Sequence, residues 1–149
     1  MVEAARFRTA LVEAYSRAHK LGAPLSVWWV DVDDCSQLND RYGEANVDET
    51  LKVFERELSS IVAGCDGALL TRLSGQSWAL ALPGTNAADS HARAEKLRSA
   101  WAAMKELAVS VSVGVACRKP GEPALNLLEE AELACTRAKQ AGRGQVILR

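Results

Sequence analysis

What the sequence lacks excludes several classes at the outset. Its four cysteines, Cys35, Cys65, Cys117 and Cys135, stand far apart and none forms a CxxC pair. Neither a zinc knuckle nor a dithiol redox motif is encoded, and reduced thiols of a cytoplasmic protein are the expectation. Only two histidines occur, His19 and His91, both in polar, helix-like contexts that suit solvated positions. No apolar run approaches the ~20 residues of a membrane span. The start, Met1-Val2-Glu3-Ala4-Ala5-Arg6, lacks the charged-then-apolar pattern of a secretory signal. An excess of one charge is missing too: 18 basic and 19 acidic residues leave a net charge of −1. Nucleic acids and anionic membranes are held by basic surfaces, so neither is an expected partner. No repeat, low-complexity stretch or linker divides the chain. Residues 1–149 are therefore expected to form a single domain.

What is present is an ordinary globular composition, 48% hydrophobic and 25% charged over 149 residues, enough to bury a core. Phe7, Ala10, Leu11, Ala14, Ala18 and Leu21 recur at helical spacing and predict a helix from Glu3 to Leu21, stopped by Gly22-Ala23-Pro24. Residues 1–22 are either a lead-in or a packed cover helix. Leu25 to Val32 is nearly all apolar, as in a central strand buried on both faces. Trp28 and Trp29 fall on opposite faces and are both expected in the core. Alanines of the helices, Ala14, Ala18, Ala100, Ala103, Ala131, Ala134 and Ala138, are expected to make room for them. A short helix from Asp33-Asp34-Cys35 to Tyr42-Gly43, capped by Asp33 or Asp34, precedes a longer one from Ala45 to Val62.

A hairpin is predicted over about Ala68 to Leu82, where two apolar runs flank Ser74-Gly75-Gln76-Ser77 and Gly75 supplies the turn's backbone angles. Thr85 or Asn86 caps a third long helix, with Ala94, Leu97, Trp101 and Met104 inward. Val109 to Ala116 alternates like a strand with one more polar face. A helix over Leu125 to Gln140 and a strand over Gln145 to Leu148 complete the chain. The order is β-α-α-β-β-α-β-α-β after an N-terminal helix. It implies an α/β (α+β) fold with a mixed central sheet of about five strands and helices packed around it.

Four motifs, in register over about Arg6 to Val146, resemble those of the GGDEF domain of bacterial diguanylate cyclases. Asp31-Val32-Asp33-Asp34-Cys35-Ser36-Gln37-Leu38-Asn39-Asp40, then Tyr42-Gly43, is similar to the family's strand-then-helix motif. Arg72-Leu73-Ser74-Gly75-Gln76-Ser77-Trp78 stands where its R-x-G-G-D-E-F hairpin stands. Val111 to Ala116 and Ala138-Lys139-Gln140-Ala141-Gly142-Arg143-Gly144 are similar to its later strand and its ending.

The resemblance implies chemistry that joins two GTP molecules into cyclic di-GMP with divalent metal. Asp31 and the Val32 carbonyl would be metal ligands. Gln76 and Ser77 replace the two signature acids, and Ser74 replaces the first signature glycine. Guanine would be read by Asn39 and Asp48, whose amide and carboxylate match the base's edge. Phosphate would lie at the helix N-terminus near Asp34 and Cys35, with charge from Lys139 and Arg143. Ser36 stands where the family usually has lysine. Without a metal, Asp31 would lie near Asp33 with no compensating cation, so Lys139 or another basic side chain is expected to lean toward Asp31. The inhibitory R-x-x-D falls at Cys65-Asp66-Gly67-Ala68 without its Arg or Asp, so cyclic di-GMP is not expected there.

Loss of electrostatic groups at a reaction centre costs orders of magnitude in rate. The expectation is thus a non-enzyme: a catalytically inactive GGDEF-like domain acting as a regulatory or protein-interaction module, with a protein partner or a second copy. It would need no cofactor beyond magnesium arriving with GTP. The alternatives are a GTP-binding sensor without turnover and a weak diguanylate cyclase.

Overall fold

The computed structural model describes all 149 residues. Helix α1 (Ala4–Leu21) leads into strand β1 (Leu25–Val32), then α2 (Cys35–Tyr42) and α3 (Glu44–Ala63). Strands β2 (Leu69–Arg72) and β3 (Ser77–Pro83) form the hairpin. Helix α4 (Ala87–Ala102), β4 (Val111–Cys117), α5 (Ala124–Gln140) and β5 (Val146–Leu148) follow. The sheet order is β2-β3-β1-β4-β5. β1 pairs antiparallel with both β3 and β4, and only β4 with β5 is parallel, so the sheet is mixed as expected.

Alternation along the central strands sorts the core into two layers. Trp28, Val30 and Val32 of β1 join Trp78, Leu80 and Leu82 of β3 under α3 and α4. Phe54 of α3 sits between two indoles there, with ring centroids 5.3 Å from Trp78 and 5.2 Å from Trp101. On the other face, Leu25 and Val27 meet Ala79 and Ala81 beneath α1 and α5. α1 is a packed cover helix, burying Phe7, Leu11, Ala14 and Ala18. Gly22, in the left-handed region at φ 62°, ends it.

Several sequence expectations change at this level. Trp28 is fully buried, but Trp29 is only partly so, beside Arg8, Leu125 and Leu128. Ala100 and Ala103 are exposed and make room for nothing, whereas Ala14 and Ala18 of α1 and Ala131, Ala134 and Ala138 of α5 are buried as expected. α4 ends at Ala102, so Met104 lies beyond it and is exposed. Asn86 is the residue that caps α4, its Oδ1 accepting from Asp89 N–H at 2.9 Å. β4 is covered on both sides, and its more polar face is turned inward, where Ser112 and the preceding Ser110 meet the Asp33 carboxylate.

Of the glycines, Gly114 of β4 is the most closely packed. A Cβ there would lie 2.0 Å from the Ala131 carbonyl oxygen and 2.3 Å from Cys135 N. These are backbone atoms of α5 and cannot move aside singly. Gly114→Ala is expected to cost about 3 kcal/mol by forcing α5 off the sheet, measured by denaturant unfolding. Nearby, burial pushes the Cys135 thiol up to about 12. An unfolded thiol gives up its proton near 9.0, so the folded state holds the proton longer. Stability from this group is complete below pH 9.0 and is lost as pH rises toward 12. Iodoacetamide at mildly alkaline pH should therefore modify Cys135 last of the four cysteines, as followed by mass spectrometry.

Candidate functional site

The site forms where β1 runs out. Strand register sets Asp31 opposite Ser77 of β3 on one side and Ser112 of β4 on the other. Val32 N–H donates to the Gln76 carbonyl at 2.9 Å, so the hairpin tip is tied directly beside Asp31. On the α5 side of the sheet, Lys139 forms an ion pair with Asp31 Oδ2, as the sequence led us to expect. Burial would lower the Lys139 ammonium, but the hydrogen bond and charge of Asp31 outweigh it and raise the group. The second carboxylate oxygen, Asp31 Oδ1, is buried without a hydrogen-bond donor.

Asp33 has a different role from the cap expected of it. Its carboxylate accepts from Ser110 Oγ at 2.7 Å, Ser112 Oγ at 2.8 Å and Gly144 N–H at 3.1 Å. Its own N–H donates to the Ser110 carbonyl at 2.8 Å. The residue is buried and holds β1, β4 and the approach to β5 together. Ser110, Ser112 and Gly144 were not singled out from sequence. The signal was there: serines two apart on a strand share a face, so both could meet one buried acid.

Asp34 occupies the position before α2 but makes no capping hydrogen bond. Its backbone is left-handed at φ 54° and its carboxylate faces Arg143 Nε at 3.6 Å. The first α2 hydrogen bond runs from Leu38 N–H to the Asp34 carbonyl, leaving the N–H groups of Cys35, Ser36 and Gln37 outside the helix ladder. The Cys35 thiol is raised by burial and by the charges of Asp33, Asp31 and Asp34, which keeps it neutral. Asn39 is half-buried on α2, its Oδ1 without a partner. Asp48 is exposed on the next helix, α3, beyond the Gly43 corner.

The hairpin tip is held by Arg72. Its guanidinium donates to the Ser74 carbonyl at 3.1 Å and the Gly75 carbonyl at 2.6 Å. It also lies 5.2 Å from the Trp78 ring centroid and 3.8 Å from Glu55. Trp78 in turn donates from Nε1 to Glu55 at 2.9 Å. Arg72 and Glu55 thus fix the turn, a role the sequence did not disclose. Gly75 has no left-handed φ and open space around it, so the turn does not depend on glycine geometry there. Ser74 and Gln76 are exposed, and Ser77 is half-buried opposite Asp31.

These residues do not fit a divalent cation held by the protein alone. Asp33 is spent on three donors, Asp34 faces Arg143 and Asp31 is already neutralised by Lys139. The tip contributes an amide and a hydroxyl. No group of three or more His, Cys, Asp or Glu side chains is gathered to hold a metal. Asp31 Oδ1 and the Val32 carbonyl, which only the Cys35 thiol approaches at 3.8 Å, are two ligands for an ion such as magnesium that needs six.

Comparison with known proteins places this geometry. The diguanylate cyclase GGDEF domain model matches residues 4–145. The probable diguanylate cyclase DgcF of two Escherichia coli strains is 32% identical over 93% of the chain, which spans 31% and 47% of those proteins. The chain thus covers less than half the length of these relatives. The GGDEF domain of DgcB from Caulobacter crescentus, solved in complex with c-di-GMP, superposes with a TM-score of 0.88 at 22% identity, over 99% of this chain and 88% of that one. Diguanylate cyclase SiaD from Pseudomonas aeruginosa, solved with its activator SiaC, gives 0.84 at 25% identity, over 99% of this chain and 58% of that one. No helix is long and apolar enough to cross a membrane. The expectation of a non-enzyme is corrected here, because relatives matched over nearly the whole chain are named as cyclases. Gln76 and Ser77 change the tip of the site without removing the scaffold from an enzyme family. Matched in sequence, motif order and fold from the first helix to the last strand, the chain belongs to the GGDEF domain family of diguanylate cyclases.

Proposed function

We propose that this chain is a guanine-nucleotide-binding regulatory domain of cyclic-di-GMP signalling, in which nucleotide binding is retained and cyclase turnover is slow. The observation that carries this reading is the asymmetry of the site. The start of α2 keeps N–H groups outside the helix ladder, with Lys139 and Arg143 paired to the acids beside it, while the hairpin tip presents Gln76 and Ser77 beside Asp31.

In this reading the Asn39 amide and the Asp48 carboxylate hold the guanine edge. The free N–H groups at the start of α2 and the charges of Lys139 and Arg143 face the phosphates. Magnesium belongs to the substrate, carried on the triphosphate, and the protein needs no cofactor of its own. Gln76 and Ser77 supply no carboxylate where the family's acids stand, so the tip would lack a charged ligand for the metal carried on the triphosphate and a carboxylate to take the proton of an attacking hydroxyl. Each missing electrostatic group of this kind lowers a rate by about 100- to 1000-fold. The domain's output then passes through contact with a protein partner or a second copy. Support for that comes from SiaD, a relative solved with a protein activator.

Calorimetric titration with Mg·GTP should show binding that weakens about tenfold in Asn39→Ala and in Asp48→Ala, the loss of one buried or charged hydrogen bond each. No heat at millimolar nucleotide would refute the reading. Restoring acids by Gln76→Asp with Ser77→Glu should raise cyclic di-GMP formation at least about 100-fold over the parent chain, measured by chromatography of the products. An unchanged rate would mean that the tip is not what slows turnover.

A further inference from the structure

We infer that Lys139 is the resident counter-ion of Asp31 and closes it to free divalent cations, so that a metal reaches this site only on a triphosphate. Asp31 lies at the inner end of the site with only 7% of its surface exposed. A carboxylate so placed needs a cation, because burial of an unpaired charge costs several kcal/mol. Lys139 is the cation that meets it, from the last turn of α5. No other open anion is offered beside the pair: Asp33 is saturated by Ser110, Ser112 and Gly144, and the Cys35 and Cys135 thiols are held neutral. Arg143 is turned to Asp34.

A free divalent ion approaching Asp31 meets two obstacles. It must stand beside an ammonium already paired with one carboxylate oxygen, and like charges a few ångströms apart repel strongly in a partly buried site. It would also gain only two protein oxygens, Asp31 Oδ1 and the Val32 carbonyl, in exchange for part of its water shell. A triphosphate removes both obstacles. Its anionic oxygens give the ammonium somewhere else to bind, and they bring most of the metal's ligands. This second half rests on the guanine-nucleotide reading; closure of Asp31 by Lys139 does not.

The test is a titration of the nucleotide-free domain with Mn²⁺, followed by the loss of the free-ion electron paramagnetic resonance signal. The native chain should bind no Mn²⁺ at millimolar concentration. Lys139→Met should bind it at least about tenfold more tightly, and adding Asp31→Asn should abolish the gain. Lys139→Gln keeps a donor for Asp31 without its charge. It should behave like Lys139→Met and serves if the methionine variant does not fold. Tight Mn²⁺ binding by the native domain, or no gain in either lysine variant, would overturn the inference. With GTP present, the native domain should retain Mn²⁺ in a ternary complex. If GTP fails to bind in calorimetry while the nucleotide-free titrations behave as expected, the nucleotide reading falls and the closure of Asp31 stands.

Discussion

The Asp33 carboxylate is the constraint on which the rest of the site depends. It is buried, charged and satisfied by three donors from two other parts of the chain. A buried charge of this kind destabilises the fold unless its partners are correctly placed. The arrangement is therefore all or nothing: β1, β4 and the turn into β5 must come together as a unit. Because Asp33 is fixed, Asp31 two residues earlier on the strand is fixed on the opposite side of Val32, facing α5. Gly114 completes the frame by letting α5 approach β4 at backbone contact. That approach brings Lys139 within reach of Asp31.

From this frame the site divides into two halves with different chemistry. One half, the start of α2 with Lys139 and Arg143, is cationic or rich in free N–H groups and suits anionic phosphates. The other half, the hairpin tip, is neutral. The tip's neutrality is a property of its side chains and not of its backbone. Arg72, Trp78 and Glu55 hold the turn in place through the guanidinium, the indole and the carboxylate. The tip is ordered but uncharged, and the pocket around it keeps the family's scaffold.

Much of the fold was legible in the chain because it rests on local periodicity. The element order, the central position of β1, the hairpin and the mixed sheet follow from where apolar residues repeat every second or every third and fourth position. The misreadings are local extrapolations. Asp33 or Asp34 was read as a helix cap because that is what acids before a helix do locally, and partners distant in sequence claim both instead. Met104 was read as inward because the helical spacing runs past the point where α4 stops.

The sequence by itself determined the family scaffold and the composition of the tip. Gln76 and Ser77 are neutral wherever they lie, and the four motifs occur in their order whatever the packing. Only the tertiary structure decided how the acids are used. Asp31, Asp33 and Asp34 are three carboxylates within four residues, indistinguishable by type. Their partners, Lys139, the Ser110–Ser112–Gly144 set and Arg143, lie more than seventy residues away along the chain. Side-chain alternation on a strand sends adjacent odd and even positions to opposite faces, and the strand's end breaks that alternation. Which acid meets an ammonium, which meets hydroxyls and which stays near solvent is therefore set by where β4 and α5 dock, not by the order of the residues.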